Sequence, residues 1–366
     1  MRRIAPAWVL TALVGVLLPS IGPVPHPSST YSGSTSLSAT GSRTLGATTS
    51  PAQLQAISCP TQLRCIAVGG HSSPYDSGTM GPQVFRTTDG GATWSTQTAP
   101  NNTTGLEGVS CPTAPVCLAE GPAAAAPKDG PFWSLIIKST DGGDSWTTGS
   151  QTYLAFPPVC VTVSRCYEID YGTVLLSTDG GTKWVRIAMP GWEGVDELSC
   201  LQGSTCFVIG YREAGLVNLF GVLVDNGTRI RTVAWFPYID RSIGTDSFSC
   251  ASHTYCMVTL LGNKEWFLVT TDGGLKWVVR RFPASLGVTS AMVCVAAGRC
   301  VLLGGPRLAV TTTNGGKTWL VPHLPSINSD YGPSIACRDA TCFIAEGNTV
   351  LVSSNVFRTW SVHQMP

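Results

Sequence analysis

Fourteen cysteines that fall into seven close pairs, at an almost even interval, decide what this chain can become. The pairs are Cys59/Cys65, Cys111/Cys117, Cys160/Cys166, Cys200/Cys206, Cys250/Cys256, Cys294/Cys300 and Cys337/Cys342. Six are spaced C-x5-C and the last C-x4-C, and successive first cysteines stand 52, 49, 40, 50, 44 and 43 residues apart. A repeat of this length sustained over seven copies marks an architecture of small units, each burying its faces against its neighbours.

A second motif keeps step with the cysteines. It reads Thr87-Thr-Asp-Gly-Gly-Ala-Thr-Trp94, Ser139-Thr-Asp-Gly-Gly-Asp-Ser-Trp146, Ser177-Thr-Asp-Gly-Gly-Thr-Lys-Trp184, Thr270-Thr-Asp-Gly-Gly-Leu-Lys-Trp277 and Thr312-Thr-Asn-Gly-Gly-Lys-Thr-Trp319. A worn copy at Asp225-Asn226-Gly227 lacks the Trp, and Ser353-Ser-Asn-Val-Phe-Arg-Thr-Trp360 lacks the glycines. Asp-Gly-Gly between apolar runs is a turn signal, since Gly takes positive φ and Asp bonds nearby amides. In the first unit, Leu54–Ile57 is strand A, Cys65–Gly69 strand B, Gln83–Thr87 strand C and Trp94–Thr98 strand D. Four strands per unit and seven units predict an all-β, seven-bladed propeller with one hairpin disulfide per blade. The 40 Gly and 25 Pro agree with a fold so rich in turns. Blade limits near 51–100, 101–152, 153–190, 191–240, 241–284, 285–326 and 327–366 follow from the spacing.

The boxes resemble the Asp-box (BNR) repeat, S/T-x-D-x-G-x-T-W, and the resemblance covers Gln53 to the end of the chain. That repeat occurs in sialidases, sortilin-type receptors, xyloglucan hydrolases and photosystem II assembly-factor propellers. The run I-S-C-P…C-x-A-x-G followed by T-T-D-G-G-x-x-W is most similar to the last group and its secreted bacterial relatives. A cysteine pair in every unit departs from the photosystem proteins and argues against a photosynthetic role. The resemblance implies that the box is a fold element away from any catalytic centre. Asp89, Asp141, Asp179, Asp272 and Asn314 are then expected to accept bonds from their own turns. Trp94, Trp146, Trp184, Trp277 and Trp319 are expected to fill space within and between blades.

Disulfides and zinc compete for the cysteines. Structural zinc wants four clustered ligands two to four residues apart, and the five histidines do not track the pairs. An even count, an export-like start and opposed strand positions favour a disulfide closing each A–B hairpin. Met1-Arg2-Arg3 and the apolar run Ile4–Ile21 read as a signal peptide or signal anchor over 1–22. Residues 23–50, rich in Ser, Thr, Gly and Pro, read as a linker, and 51–366 as the propeller. The expected location is secreted or extracytoplasmic, with membrane contact only through an uncleaved N-terminal anchor.

The A–B and C–D turns share one side of such a propeller, and the B–C and D–A loops the other. The second set varies in length, with B–C loops read at Gly69–Pro82, Glu120–Pro131 and Tyr211–Asn218. The D–A loops are read at Met189–Glu197, Phe236–Asp246 and Pro322–Tyr331. Variable loops on a rigid scaffold are where recognition resides. Within them Trp192, Glu193, Arg212, Glu213, Tyr238, Asp240 and Arg241 combine aromatic platforms with paired charges, a chemistry suited to a sugar ring or an extended peptide. A net charge of +1, from 23 basic and 22 acidic residues, supplies no field for nucleic acid.

The reading that follows is a monomeric, non-catalytic binding or assembly scaffold for a protein or glycan, with no cofactor or metal. The alternative is a glycoside hydrolase of sialidase or xyloglucanase type. A sialidase needs an Arg triad whose first member lies in a Phe-Arg-Ile-Pro segment, and no such segment occurs in this chain. An inverting hydrolase needs two facing carboxylates; Asp240, Asp246 and Asp330 are the candidates, and no spacing pairs them.

Overall fold

The computed structural model describes residues 52–70, 81–124, 134–152, 157–201, 205–212, 217–224, 227–235, 245–260, 266–282, 291–304, 309–322, 324–325, 333–355 and 357–366. Residues 1–22 and 23–50, read from the sequence as signal and linker, lie outside them. Within the described residues, 27 strands build seven antiparallel sheets, each a meander of consecutive strands. Blade 1 comprises Leu54–Ser58, Cys65–Gly69, Gln83–Thr87 and Ser95–Gln97. Each matches the sequence reading to within two residues.

Six sheets have four strands, and blade 6 has three. Its fourth strand is reduced to a bridge between Thr311 and Leu320, held by a reciprocal pair of backbone bonds of 2.8 Å. Pro322 follows two residues later, lacks an N–H and restricts the residue before it, so the ladder stops there.

Seven disulfides join the expected partners: Cys59–Cys65, Cys111–Cys117, Cys160–Cys166, Cys200–Cys206, Cys250–Cys256, Cys294–Cys300 and Cys337–Cys342. Their Cα–Cα separations are 3.9 to 4.1 Å, and each closes the hairpin between strands A and B. The two ends of a bridge differ in their surroundings. Every second cysteine is the first or second residue of strand B, in the middle of its sheet, and is sealed from solvent. Cys65 and Cys206 are 1% exposed, and Cys117, Cys166, Cys256, Cys300 and Cys342 are 0% exposed. Cys256, Cys300 and Cys342 are core residues, packed in the apolar clusters beside Leu268, Leu302 and Ile344. They are out of reach of any ligand. Seven bridges fit an oxidising, extracytoplasmic compartment.

The core is not one body. It divides into seven apolar clusters, and each lies between two neighbouring blades rather than inside one. A four-stranded sheet presents two faces, and both must be covered by the adjacent blades. The ring closes the same way. Phe343, Ala345 and Val350 of blade 7 pack with Leu54, Ile57 and Phe85 of blade 1, and Leu54 N donates to Gly347 O at 2.6 Å. All four strands of blade 7 come from its own stretch of chain. The segment Thr44–Thr49, a candidate for an extra outer strand, lies outside the described residues.

A polar seam ties the innermost strands. The serine just before the first cysteine of a blade accepts a bond from the backbone N–H of the next blade's first cysteine. Ser58, Ser110, Ser199 and Ser249 do this toward Cys111, Cys160, Cys250 and Cys294, at 2.9 to 3.0 Å. Blades 3, 6 and 7 carry Val159, Val293 and Ala336 at that position, which have no side-chain acceptor to offer.

Candidate ligand-binding face

On the side of the A–B and C–D turns, the repeated boxes are self-contained. The first hydroxyl of each complete box donates to the third residue and accepts the N–H of the fifth. Thr87 Oγ1 bonds Asp89 Oδ1 at 2.8 Å and takes the Gly91 N–H at 2.9 Å; Ser139, Ser177, Thr270 and Thr312 repeat this. The carboxylate in turn accepts amides, and often a hydroxyl, from further along the turn.

Bonds made only to the ionised form favour it. The Thr93 hydroxyl and amide, with the Thr87 hydroxyl, hold the Asp89 carboxyl down at about 2. The Ser145 hydroxyl and amide lower Asp141 further still. The amides of Lys183 and Lys276 lower Asp179 and Asp272. Because these pKa values lie below the ordinary 3.8, the boxes contribute stability that is fully present above about pH 4 and is lost as pH falls through the folded values. Asn314 and Asn355 make the same turn with an amide. Asp141→Asn should therefore leave the unfolding midpoint at pH 7 nearly unchanged and shorten the acid limb. Asp141→Ala should cost about 1 kcal/mol. Urea titrations at pH 3 and pH 7 measure both.

The second glycine of the box has a steric reason beyond its positive φ. A Cβ on Gly274 would sit 2.1 Å from the Phe220 ring of the preceding blade, and on Gly316 2.4 Å from Phe267. Box tryptophans pack over the same rings: Trp277 lies 5.1 Å from Phe220 and Trp319 5.4 Å from Phe267. Trp146 and Trp184 bond their N–H groups back to Gly143 and Gly181 carbonyls at 3.2 Å. This face is thus occupied by its own fold.

The opposite face differs from the loop reading in several places. Glu120 is not in a loop; it lies in strand B of blade 2, Cys117–Pro122, and is buried. Tyr211 and Arg212 end a strand, Cys206–Arg212, and Val217 begins the next. Glu197 lies within the strand Gly194–Cys200. Cross-strand pairing extends further than the turn-like composition suggests.

Trp192 is 7% exposed, packs in the cluster between blades 3 and 4, and donates to Thr232 Oγ1 at 2.9 Å. It is core, not a platform. Glu193 is exposed beside it, with its amide bonded to Tyr211 O. Arg212 stacks its guanidinium 3.7 Å above the Trp235 ring, a cation–π geometry. Trp235 itself is 57% exposed and is not among the residues that sequence reasoning selects. Neither is Tyr171, which is 82% exposed at the tip of blade 3's B–C hairpin with φ of 44°. A bulky residue in the left-handed region, with its ring in solvent, is disfavoured on both counts. Its signal in the sequence is no more than Asp170-Tyr171-Gly172 between two strands. Glu213, Tyr238, Asp240, Arg241 and Asp330 lie outside the described residues, and of Asp246 only the backbone is described, in the strand Thr245–Cys250.

Among the described residues, no three His, Cys, Asp or Glu side chains gather in a way that could hold a metal ion. The arrangement on this face is aromatic and mixed in charge, with Tyr171, Tyr211, Glu193 and the Arg212–Trp235 stack on blades 3 and 4.

No protein-family model matches the chain, and no curated protein sequence matches it. Solved structures do resemble it. A YCF48 bound to a D1 peptide superposes with a TM-score of 0.57 at 14% identity, covering 82% of this chain and 93% of that one. YCF48 from Cyanidioschyzon merolae gives 0.56 at 16% identity, over 81% and 92% of the two chains. Virginiamycin B lyase from Staphylococcus aureus gives 0.55 at 10%, over 80% and 92%. At such identities the likeness shows the fold alone: this chain is a seven-bladed propeller structurally like YCF48 and virginiamycin B lyase.

Proposed function

We propose that this protein is an extracytoplasmic, non-catalytic binding scaffold whose B–C/D–A face takes an extended peptide segment of a protein partner. The observation that carries the reading is that the strained, exposed Tyr171 and the Arg212–Trp235 stack stand on adjacent blades. Residues held in costly conformations and left in solvent are concentrated where ligands bind, and aromatic and Arg side chains dominate binding energy in interfaces. A YCF48 propeller of the same shape has been seen with a D1 peptide, which supports a peptide over a sugar. The seven disulfides support the compartment, and membership in the Asp-box family is the reading that the repeated turns support.

The test is an array of peptides and glycans probed with oxidised protein. Peptide binding is expected, weakened at least tenfold by Tyr171→Ala or Trp235→Ala. Tyr171→Gly should raise stability by about 1 kcal/mol while losing the ligand, because it relieves the left-handed backbone. Binding indifferent to all three variants would overturn the site. Release of sugar from any polysaccharide would replace the scaffold with a glycoside hydrolase.

A further inference from the structure

The seven blade junctions are not equivalent. Among the described residues, six of them bury between seven and thirteen apolar residues, whereas the junction of blades 2 and 3 buries Leu118, Ile136, Cys160 and Cys166. Two acids stand where most sister junctions carry aliphatic side chains. The third residue after the second cysteine is Val68, Ile169, Ile209 or Leu303 in four other blades, and Glu120 in blade 2. The second residue after it is Val208, Val258, Leu302 or Ile344 in four others, and Glu168 in blade 3.

Alternation along the strands fixes where both point. Leu118 reaches Gly181 of blade 3, so Glu120, two residues on, shares the face turned to blade 3. Tyr167 reaches Gly227 of blade 4, so Glu168, one residue on, turns back toward blade 2. Both are 2% exposed, and neither carboxylate oxygen of Glu168 has a hydrogen-bond partner. The groups acting on Glu120 are the Ser134 hydroxyl across its own sheet and the Glu107 carboxylate at the inner edge. Those acting on Glu168 are Glu120 and Asp170, and Asp170 has Arg186 of the outer strand at 3.7 Å. Among the described residues, no cation therefore offsets the pair directly. The same junction is held on its box side by Lys138 and Ser150, which donate to Gly180 O and Gly181 O at 3.5 and 2.5 Å.

We infer that Glu120 and Glu168 form an acid-locked latch between blades 2 and 3, shut while they keep their protons and loosened on the loop face once both ionise. Burial disfavours the charged form. It lifts Glu120 to about 7, and together with the Glu120 and Asp170 charges it lifts Glu168 to about 9. The folded protein then holds protons that the unfolded chain, with ordinary values of 4.5, has released. The contribution of this pair to stability is fully present below about pH 4.5 and falls as pH rises, with up to two protons contributing between about pH 5 and 7 and one between about 7 and 9.

The test compares the full oxidised chain with Glu168→Val and with the double variant Glu120→Ile/Glu168→Val, which install the residues of the sister blades. In urea, the wild-type unfolding constant should rise at least tenfold per pH unit from 5 to 7. The double variant should lose that steepness by one proton or more and unfold at higher urea above pH 7. Asp196 and Glu346, raised by burial, leave a residual slope in both proteins. Infrared spectroscopy of the wild type at pH 7 supplies a readout independent of variant folding, since a buried protonated carboxyl has its own carbonyl band. Equal pH slopes in wild type and variant, or no such band in the wild type, would overturn the latch.

Discussion

Reduction of the folded protein is expected to unfold it under conditions in which the oxidised form is intact. Each bridge closes a loop of six or seven residues, which in the chain-entropy model contributes about 2 kcal/mol. Seven such bridges sum to about 10 kcal/mol or more, as large as the whole net stability of an ordinary domain. The bridges limit the freedom of the unfolded chain more than they strengthen the native contacts. Loss should therefore be graded, with one pair replaced by Ala costing about 2 kcal/mol and several together abolishing the transition. Urea midpoints with and without a thiol reductant, followed by tryptophan fluorescence, measure this. A midpoint unmoved by full reduction would mean that the apolar junctions hold the ring unaided.

The next largest effect is expected at Phe357. It occupies the place of the second box glycine in blade 7, with φ of 69°, and is buried beside Val301 and Ala309 of blade 6. Between blades 5 and 6 the arrangement is reversed, with Gly316 in the box and the large Phe267 on the preceding blade. Phe267 stands three residues before the box hydroxyl of Thr270, and Ala309 stands three before that of Thr312. The ring has changed sides of the junction. Phe357→Gly removes a buried aromatic at a cost of about 3–5 kcal/mol and recovers about a third of it through the relaxed backbone. Ala309→Phe alone should overpack the junction by about 1–3 kcal/mol. Combined, the two substitutions rebuild the blade 5–6 pattern and should lie much closer to wild type than their sum. A double-mutant cycle in urea measures the coupling; additive losses would show that the two positions do not share one space.

The cysteine pairs and boxes are enough to place strands, bridges and blade number, because each is a local signal: a turn, a hairpin, an alternation. Glu120 shows where local signals end. Beside Gly121 and Pro122 it looks like the start of a loop, yet it pairs with Ile136, and the ladder runs on to Pro122 opposite Ser134. That Glu168 turns toward it depends on which face of blade 3 meets blade 2, a fact of the ring and not of either segment. The complete burial of Cys256, Cys300 and Cys342 is of the same kind, since the neighbouring blade and not the C-x5-C or C-x4-C spacing seals them. Trp192 misleads for a related reason. An aromatic after Met189-Pro190-Gly191 reads as exposed, whereas the outer strand of blade 4 supplies Thr232 for its N–H and the junction with blade 3 a core for its ring. Tyr171 escapes because an isolated aromatic in a two-residue turn carries no pattern; its exposure and backbone conformation identify it only in three dimensions.

The seam between blades 7 and 1 has a consequence for where the chain can be cut. Among the described residues no strand crosses it. It is joined by one backbone bridge, an Ile57 N–H donated to Ser334 Oγ at 3.3 Å, the Gln62–Asp339 side-chain bond at 2.9 Å and an apolar cluster of the ordinary kind. Among the described residues, the propeller is thus a ribbon rolled until residues 52–58 meet blade 7, with no strand shared across the seam. Joining residue 366 to residue 52 through a short linker and reopening the chain between any other two blades gives a circular permutant with the same seven contacts. Such permutants offer a way to move the termini off whichever blade a ligand is found to use.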